Sequence, residues 1–175
     1  MIMRKRIFIV LSILWMGVIF VYSAQPGDES TETSIWAGMT FGRIFVPHFE
    51  EWSEEQRIEF AEKIDHPVRK AAHFTEFAIL GFFVTGAYAD KNNLQSKNPK
   101  KHRRFLVPWI IGSIYAATDE FHQRFVPERN GNLKDVLLDS SGVAFGVLMM
   151  LFILYIASGR KESVCEEGST DKKST

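Results

Sequence analysis

The polar residues that could carry chemistry are concentrated in one stretch, which follows the apolar run 105–118. It reads Asp119-Glu120-Phe121-His122-Gln123-Arg124-Phe125-Val126-Pro127-Glu128-Arg129. Asp119 and His122 are three positions apart, so on a helix they share a face, and an Asp-His pair can act as general acid and base. Asp, Glu and His are also ligands for hard or borderline metal ions, so the pattern is not specific for one chemistry.

Two other apolar segments supply polar groups that could join this stretch. Arg69, His73 and Glu76 follow helical spacing, which places them along one face. Asp135 and Asp139 are one helical turn apart near the start of the last segment. Because ionisable groups in a bilayer are costly unless they face partners or a wet cavity, we expect these places to converge on one polar site.

The candidate site residues form two groups. The candidates for catalysis are carboxylates and imidazoles: His73, Glu76, Asp119, Glu120 and His122. The candidates for ligand binding are the polar groups around them: Gln123, Arg124, Arg129, Lys134, Asp135 and Asp139. The guanidinium and ammonium groups suit phosphate or carboxylate.

Purely structural interpretations stand beside these. Arg69 and Lys70 could extend towards the head groups as anchors, with Glu76 pairing one of them. Asp135 could cap a helix. Gly142 and Gly146 form a G-x-x-x-G element, which permits two helices to approach closely and would hold Asp139 in the bundle interior.

The fold predicted from the apolar blocks is an all-α integral membrane bundle. Apolar residues make up 46% of the 175 residues and are concentrated in segments that could cross a bilayer core of about 30 Å. The run 105–118 is short for this and would need its polar end drawn into the membrane. Four spans are expected at about residues 7–24, 71–89, 105–122 and 136–157, within one domain, 1–157. Residues 158–175 form a polar, disordered tail. The first span follows basic residues and also resembles a secretory signal, although a retained anchor fits the later spans better.

The connection between the first two spans is acidic, with ten Asp or Glu against three Lys or Arg before Arg69. Ser53 and Gln56 have the spacing of a capping box, and apolar residues then recur at helical intervals, which predicts a short amphipathic helix on the membrane surface. The aromatic residues of this connection suit either an interfacial layer or a small core under a loop. They are Trp36, Phe41, Phe45, Phe49 and Trp52.

Charge in the loops predicts the orientation. The basic N-terminus, the loop 91–104 with its six Lys or Arg, and the basic start of the tail fall on one side of a four-span topology. The acidic connection and residues 119–135 fall on the other. Both termini should therefore be cytoplasmic, and the polar site and the amphipathic segment should be extracytoplasmic.

Several function classes lack support in the sequence. The net charge of +0 gives no sign of nucleic-acid binding, and the single cysteine, Cys165, offers neither a disulfide nor a cysteine metal site. His-Glu-x-x-His and P-loop patterns are absent. The pattern identifies no cofactor or metal.

The polar motifs resemble those of the VanZ-like family. The resemblance rests on three stretches within residues 7–157: Arg69-Lys70-Ala71-Ala72-His73-Phe74-Thr75-Glu76-Phe77-Ala78-Ile79-Leu80-Gly81, the stretch 119–129, and Lys134-Asp135-Val136-Leu137-Leu138-Asp139 with Gly142. It implies a small bacterial multi-spanning protein of the cytoplasmic membrane. The family is named for a member associated with resistance to the glycopeptide teicoplanin.

Three functions remain open at this point. The first is a protein whose outward polar site binds, or acts on, a lipid-linked or amphiphilic cell-envelope molecule such as a cell-wall precursor or a lipoglycopeptide. The second is a membrane-embedded hydrolase or transferase that uses His122 or His73 as base. The third is a structural or partner-binding protein whose charges form a buried ion-pair network.

The charge pattern predicts which loops face outward. Cysteines placed at Asn93 and Asn130 should differ in intact cells, with an impermeant thiol reagent labelling only Asn130→Cys. Labelling of Asn93→Cys alone would reverse the topology.

Overall fold

The computed structural model describes residues 2–89, 102–129 and 131–170, and within these ranges it contains helices and no strand. The helices are α1 (Ile2–Ser23), α2 (Gly27–Phe45), α3 (Glu54–Tyr88), α4 (Arg103–Gln123) and α5 (Leu133–Thr170), with a short 3₁₀ turn at Phe49–Glu51. The all-α prediction is confirmed. Most of the basic loop, together with Asn93 and Asn130, lies outside the described residues.

Two of the described helices are long and apolar enough to cross a membrane, judged by length and composition. They are α1 and the part Leu133–Ser158 of α5, each with a mean hydropathy of 2.1. Large apolar side chains on both point away from the rest of the protein, among them Ile13, Leu14, Phe152 and Tyr155. An apolar surface of this extent on an isolated chain needs an apolar surrounding.

The second expected span is the C-terminal part of a longer helix. The sequence predicts a surface helix followed by a separate span at 71–89, whereas α3 runs without a break from Glu54 through Pro67 to Tyr88. The capping box at its start is confirmed, because the side chains of Ser53 and Gln56 bond each other's backbone N–H groups. At about 1.5 Å rise per residue, the 35 residues of α3 exceed the thickness of a bilayer core.

The connection between α1 and α3 is more ordered than its turn-forming residues predict. Pro26 and Gly27 stand at the start of a 19-residue helix, α2, rather than in an extended loop. Gly38 and Gly42 allow α2 to lie close to the first half of α3 and to the ring of Phe49. The two helices form a hairpin beside the bundle.

The aromatic residues of this hairpin divide between the two interpretations of the sequence. Phe49 is buried and packs against Trp52 and Phe60, which is a small core. Trp36, Phe41 and Phe45 are exposed on α2, as an interfacial layer would require.

The last helix also continues past the end of the fourth expected span. The backbone continues as helix to Thr170, so α5 does not end at residue 157. No proline interrupts residues 158–170 to stop it. Residues 171–175 lie outside the described ranges.

Helix α3 packs against each of the other helices, most extensively against α5. The contact depends on three glycines: a methyl group on Gly142 or Gly146 would overlap the carbonyl oxygen of Phe74 or Ala78, and one on Gly81 would overlap that of Val143. Backbones therefore meet directly along this seam, as a G-x-x-x-G element permits.

The ends of the helices are fixed by polar contacts. At one end, Arg4 of α1 donates to the carbonyl oxygen of Ala89 at 2.6 Å. At the other end, Ser23 of α1 bonds Asp119 of α4. Helix α1 therefore runs antiparallel to α3 and parallel to α4, and between these ends lies an apolar core that includes Ile19, Phe77, Leu80, Ala116, Val143 and Val147.

The glycine seam predicts that Gly146→Ala destabilises the protein. The added methyl group has no room against α3, and overpacking of this kind costs about 1–3 kcal/mol. Thermal unfolding in detergent should show a lower midpoint. Gly17→Ala is the matched control, since a methyl group there meets nothing within 4 Å. A seam variant as stable as this control would contradict the packing argument.

Candidate functional site

A polar cleft of about 360 Å³ opens at the end of the bundle where α4 finishes and α5 begins. Six of the residues predicted from the sequence line it: His73, Glu120, Gln123, Arg129, Asp135 and Asp139. Arg69 and Lys70 line it as well. Side chains from α3, α4, α5 and the loop between α4 and α5 thus reach a common space.

A second, smaller cleft of about 150 Å³ lies beside the first, towards α1 and α2. Glu76 lines it, together with more apolar neighbours such as Ala37, Val68 and Ala72. Arg69, His73 and Arg129 line both clefts. These three residues therefore stand at the boundary between the clefts.

Asp119 is the centre of a buried hydrogen-bond group behind the polar cleft. Its Oδ2 accepts from the Ser23 hydroxyl at 2.7 Å and from the Gln123 amide at 2.9 Å, and its side chain is buried. The sequence alone did not indicate Ser23 as a partner, because it lies 96 positions from Asp119 and comes at the end of the first expected span. The group ties α1 to α4.

The carboxylates nearest to α5 each take part in a contact between elements. Glu120 accepts a hydrogen bond from the backbone N–H of Asn132 at 2.5 Å, which holds the start of α5 against α4. Asp135 lies 3.1 Å from the Lys70 ammonium of α3. The ion pair makes Lys70 part of the site and gives Asp135 a role beyond capping a helix.

Arg69 is held by a partner that the sequence did not indicate. Its guanidinium pairs with Asp65 one helical turn earlier on α3, and Asp65 also accepts a hydrogen bond from Ser34 of α2. Asp65 and Ser34 are both buried. The hairpin formed by α2 and α3 therefore fixes the side chain of Arg69 at the clefts.

Arg129 reaches the clefts from the loop that joins α4 to α5. It donates to the carbonyl oxygen of Tyr22 at 3.3 Å, and no carboxylate of the described residues lies within ion-pair distance of it. Burial lowers the pKa of Arg129, the Asp119 carboxylate raises it, and the positive charge of Arg69 lowers it. The Glu76 and Glu120 carboxylates raise it too. The two guanidiniums line the same two clefts, so their positive charges share this space.

The loop is anchored to the start of α2. The backbone N–H of Gly27 donates to the carbonyl oxygen of Pro127 at 3.2 Å. A side chain at Gly27 would collide with Glu128, which has a positive φ of 59°. Close approach of these two backbones holds the base of Arg129 in place.

His73 and Glu76 are the pair best placed for proton transfer at the clefts. Their Nδ1 and Oε2 atoms are 3.6 Å apart, which is slightly longer than a hydrogen bond. Both side chains are partly exposed. A small movement would let the carboxylate orient the imidazole, as a base or a ligand group requires.

Four of the predicted residues line neither cleft. Asp119 is buried behind the polar cleft, as described above. His122 packs its ring on Phe20 of α1, with centroids 4.7 Å apart. Arg124 and Lys134 are exposed at the surface. The shared helical face of Asp119 and His122 faces α1, which the intrahelical spacing alone does not reveal.

The described part of the chain contains no preformed cluster of side chains that could bind a metal ion. Across residues 2–89, 102–129 and 131–170, no three His, Cys, Asp or Glu side chains are grouped as ligands for an ion. Asp119, Glu120 and Asp135 have the protein partners described above instead.

Comparison with known protein families agrees with the resemblance seen in the polar motifs of the sequence. Residues 8–155 match the family model described as VanZ/LLP1. The chain belongs to the VanZ/LLP1 family. No curated protein and no solved structure is significantly similar to it. Family membership and the two apolar helices together indicate that this VanZ/LLP1 protein is a membrane protein.

The hydrogen bonds of Asp119 predict different effects for two substitutions. Asp119→Ala leaves the buried Ser23 and Gln123 groups without their acceptor, so we expect a loss of about 1–3 kcal/mol in the free energy of unfolding. Asp119→Asn keeps an acceptor oxygen and should cost less. The free energy of unfolding in detergent and the abundance of the protein in the membrane are measured for both variants. An equal loss of stability in the two variants would contradict the acceptor role of Asp119.

Proposed function

We propose that this VanZ/LLP1 protein binds the anionic head group of a lipid-linked or amphiphilic cell-envelope molecule in its polar cleft. It would sit in the bacterial cytoplasmic membrane with four spans, both termini in the cytoplasm and the cleft on the extracytoplasmic side. The α2 hairpin would lie at that outer surface. The loop charges support this orientation.

The observation that carries the proposal is the pair of guanidiniums at the boundary between the clefts. Arg69 and Arg129 both line the two clefts, and Arg129 has a backbone carbonyl as its hydrogen-bond acceptor. Two neighbouring guanidiniums repel each other, and a phosphate between them would offset that repulsion. Guanidinium groups bind phosphate and carboxylate through paired N–H donors.

The surroundings of the cleft favour an amphiphile over a soluble anion. Large apolar side chains cover the outer surfaces of α1 and α5, so a molecule in the surrounding lipid can approach the clefts. The second cleft adds an apolar wall from Ala37, Val68 and Ala72 next to the guanidiniums. The charged head group would thus contact polar side chains, and the first part of the attached lipid chain would contact apolar ones.

A structural role is the second candidate, because many of the charges already have partners. Lys70 with Asp135 joins α3 to α5, and Ser23 with Asp119 joins α1 to α4. Asp65 pairs with Arg69 within α3. These ion pairs are partly exposed, so removing one partner should cost less than the roughly 3–5 kcal/mol of a fully buried pair. If these contacts serve only the fold, substitutions at the site will lower the abundance of the protein in the membrane rather than its affinity for a ligand.

The binding proposal predicts that Arg69→Gln and Arg129→Gln weaken binding of a phosphate lipid. The full chain in detergent would be titrated with a fluorescent short-chain phosphatidic acid, with dihexanoyl phosphatidic acid and teicoplanin as competitors. A hydrogen bond to a charged group contributes about 1.5–3 kcal/mol, so each variant should bind about tenfold more weakly or worse. Competition by teicoplanin would support the link to glycopeptide resistance.

Arg124→Gln is the matched control, because it removes the same charge from an exposed residue near the same loop. It should bind as the wild type does, and dihexanoylglycerol, which lacks the phosphate, should not compete. Equal binding by the Arg129 and Arg124 variants would refute a phosphate site at the clefts.

A further inference from the structure

Asp139 is a buried carboxylate of the polar cleft that has no ion-pair partner in the described part of the chain. Its side chain is 2% exposed, and its Oδ1 is buried without a hydrogen-bond partner in the described part of the chain. Asp135 has Lys70, and Glu120 has the backbone N–H of Asn132. A buried acceptor without a donor is costly, so Asp139 is set to receive a donor from within the cleft.

The arrangement of charges separates this acceptor from the guanidiniums. Arg69, His73 and Arg129 line both clefts, whereas Glu120, Asp135 and Asp139 line only the polar cleft. A ligand phosphate at the guanidiniums would therefore sit at the boundary. The rest of its head group would extend into the part of the polar cleft that contains the carboxylates.

Building on the proposed phosphate site, we infer that the head group bound in the polar cleft also carries a primary ammonium, which pairs with Asp139. A buried carboxylate is best compensated by a positive charge that also donates hydrogen bonds. A primary ammonium provides three N–H donors. A quaternary ammonium has the same charge but no donor, so the cleft should distinguish the two.

Two zwitterionic lipids with the same tails test this inference. Dihexanoyl phosphatidylethanolamine and dihexanoyl phosphatidylcholine differ in their N–H donors, and each would compete with the fluorescent phosphatidic acid on the full chain in detergent. The wild type should bind the ethanolamine lipid about tenfold more tightly, as expected for one hydrogen bond to a charged group. In Asp139→Asn this ratio should fall to about twofold or less.

Glu62→Gln is the control for removal of a negative charge, because Glu62 is exposed on α3 and lines neither of the two clefts. It should keep the wild-type ratio. Equal binding of the two zwitterionic lipids by the wild type overturns the ammonium inference alone, and needs no variant to fold. Failure of phosphatidic acid itself to bind overturns the proposed function, and this inference with it.

Discussion

Polar side chains inside a bundle with an apolar outer surface must find partners within the protein, because lipid offers none. This constraint accounts for much of the arrangement at the cleft end of the molecule. Ser23 ends α1 against Asp119, Asn132 begins α5 against Glu120, and Lys70 joins α3 to Asp135. Two of these contacts therefore also fix the end of α1 and the start of α5, and the third joins α5 to the middle of α3.

The sequence predicted those features that depend on local pattern. Runs of apolar residues identified α1 and α5, and the Ser53 and Gln56 spacing identified the start of α3. The G-x-x-x-G element of Gly142 and Gly146 predicted close helix packing, which the seam with α3 confirms. Each of these signals lies within a few residues of the chain, so its physical meaning does not depend on the fold.

Features that arise from long-range contacts could not be predicted in the same way. Ser34 and Asp65 are unremarkable as sequence, yet together they fix Arg69 at the clefts. Helix α2 was missed because Pro26 and Gly27 are typical of turns. Likewise, the spacing of His122 gave its helical face but not the identity of the neighbour on that face, which is Phe20.

The position of the cleft along α3 has a consequence for how a ligand would arrive. His73 lies about 24 Å along the helix axis from the end at Ala89, where Arg4 is bound. A bilayer core is about 30 Å thick, so in the proposed four-span topology the cleft would open close to the head groups opposite Ala89. A molecule anchored in that leaflet would present its head group while its tails remain in lipid. Its search would then be confined to the plane of one leaflet, where even a scarce lipid is locally concentrated.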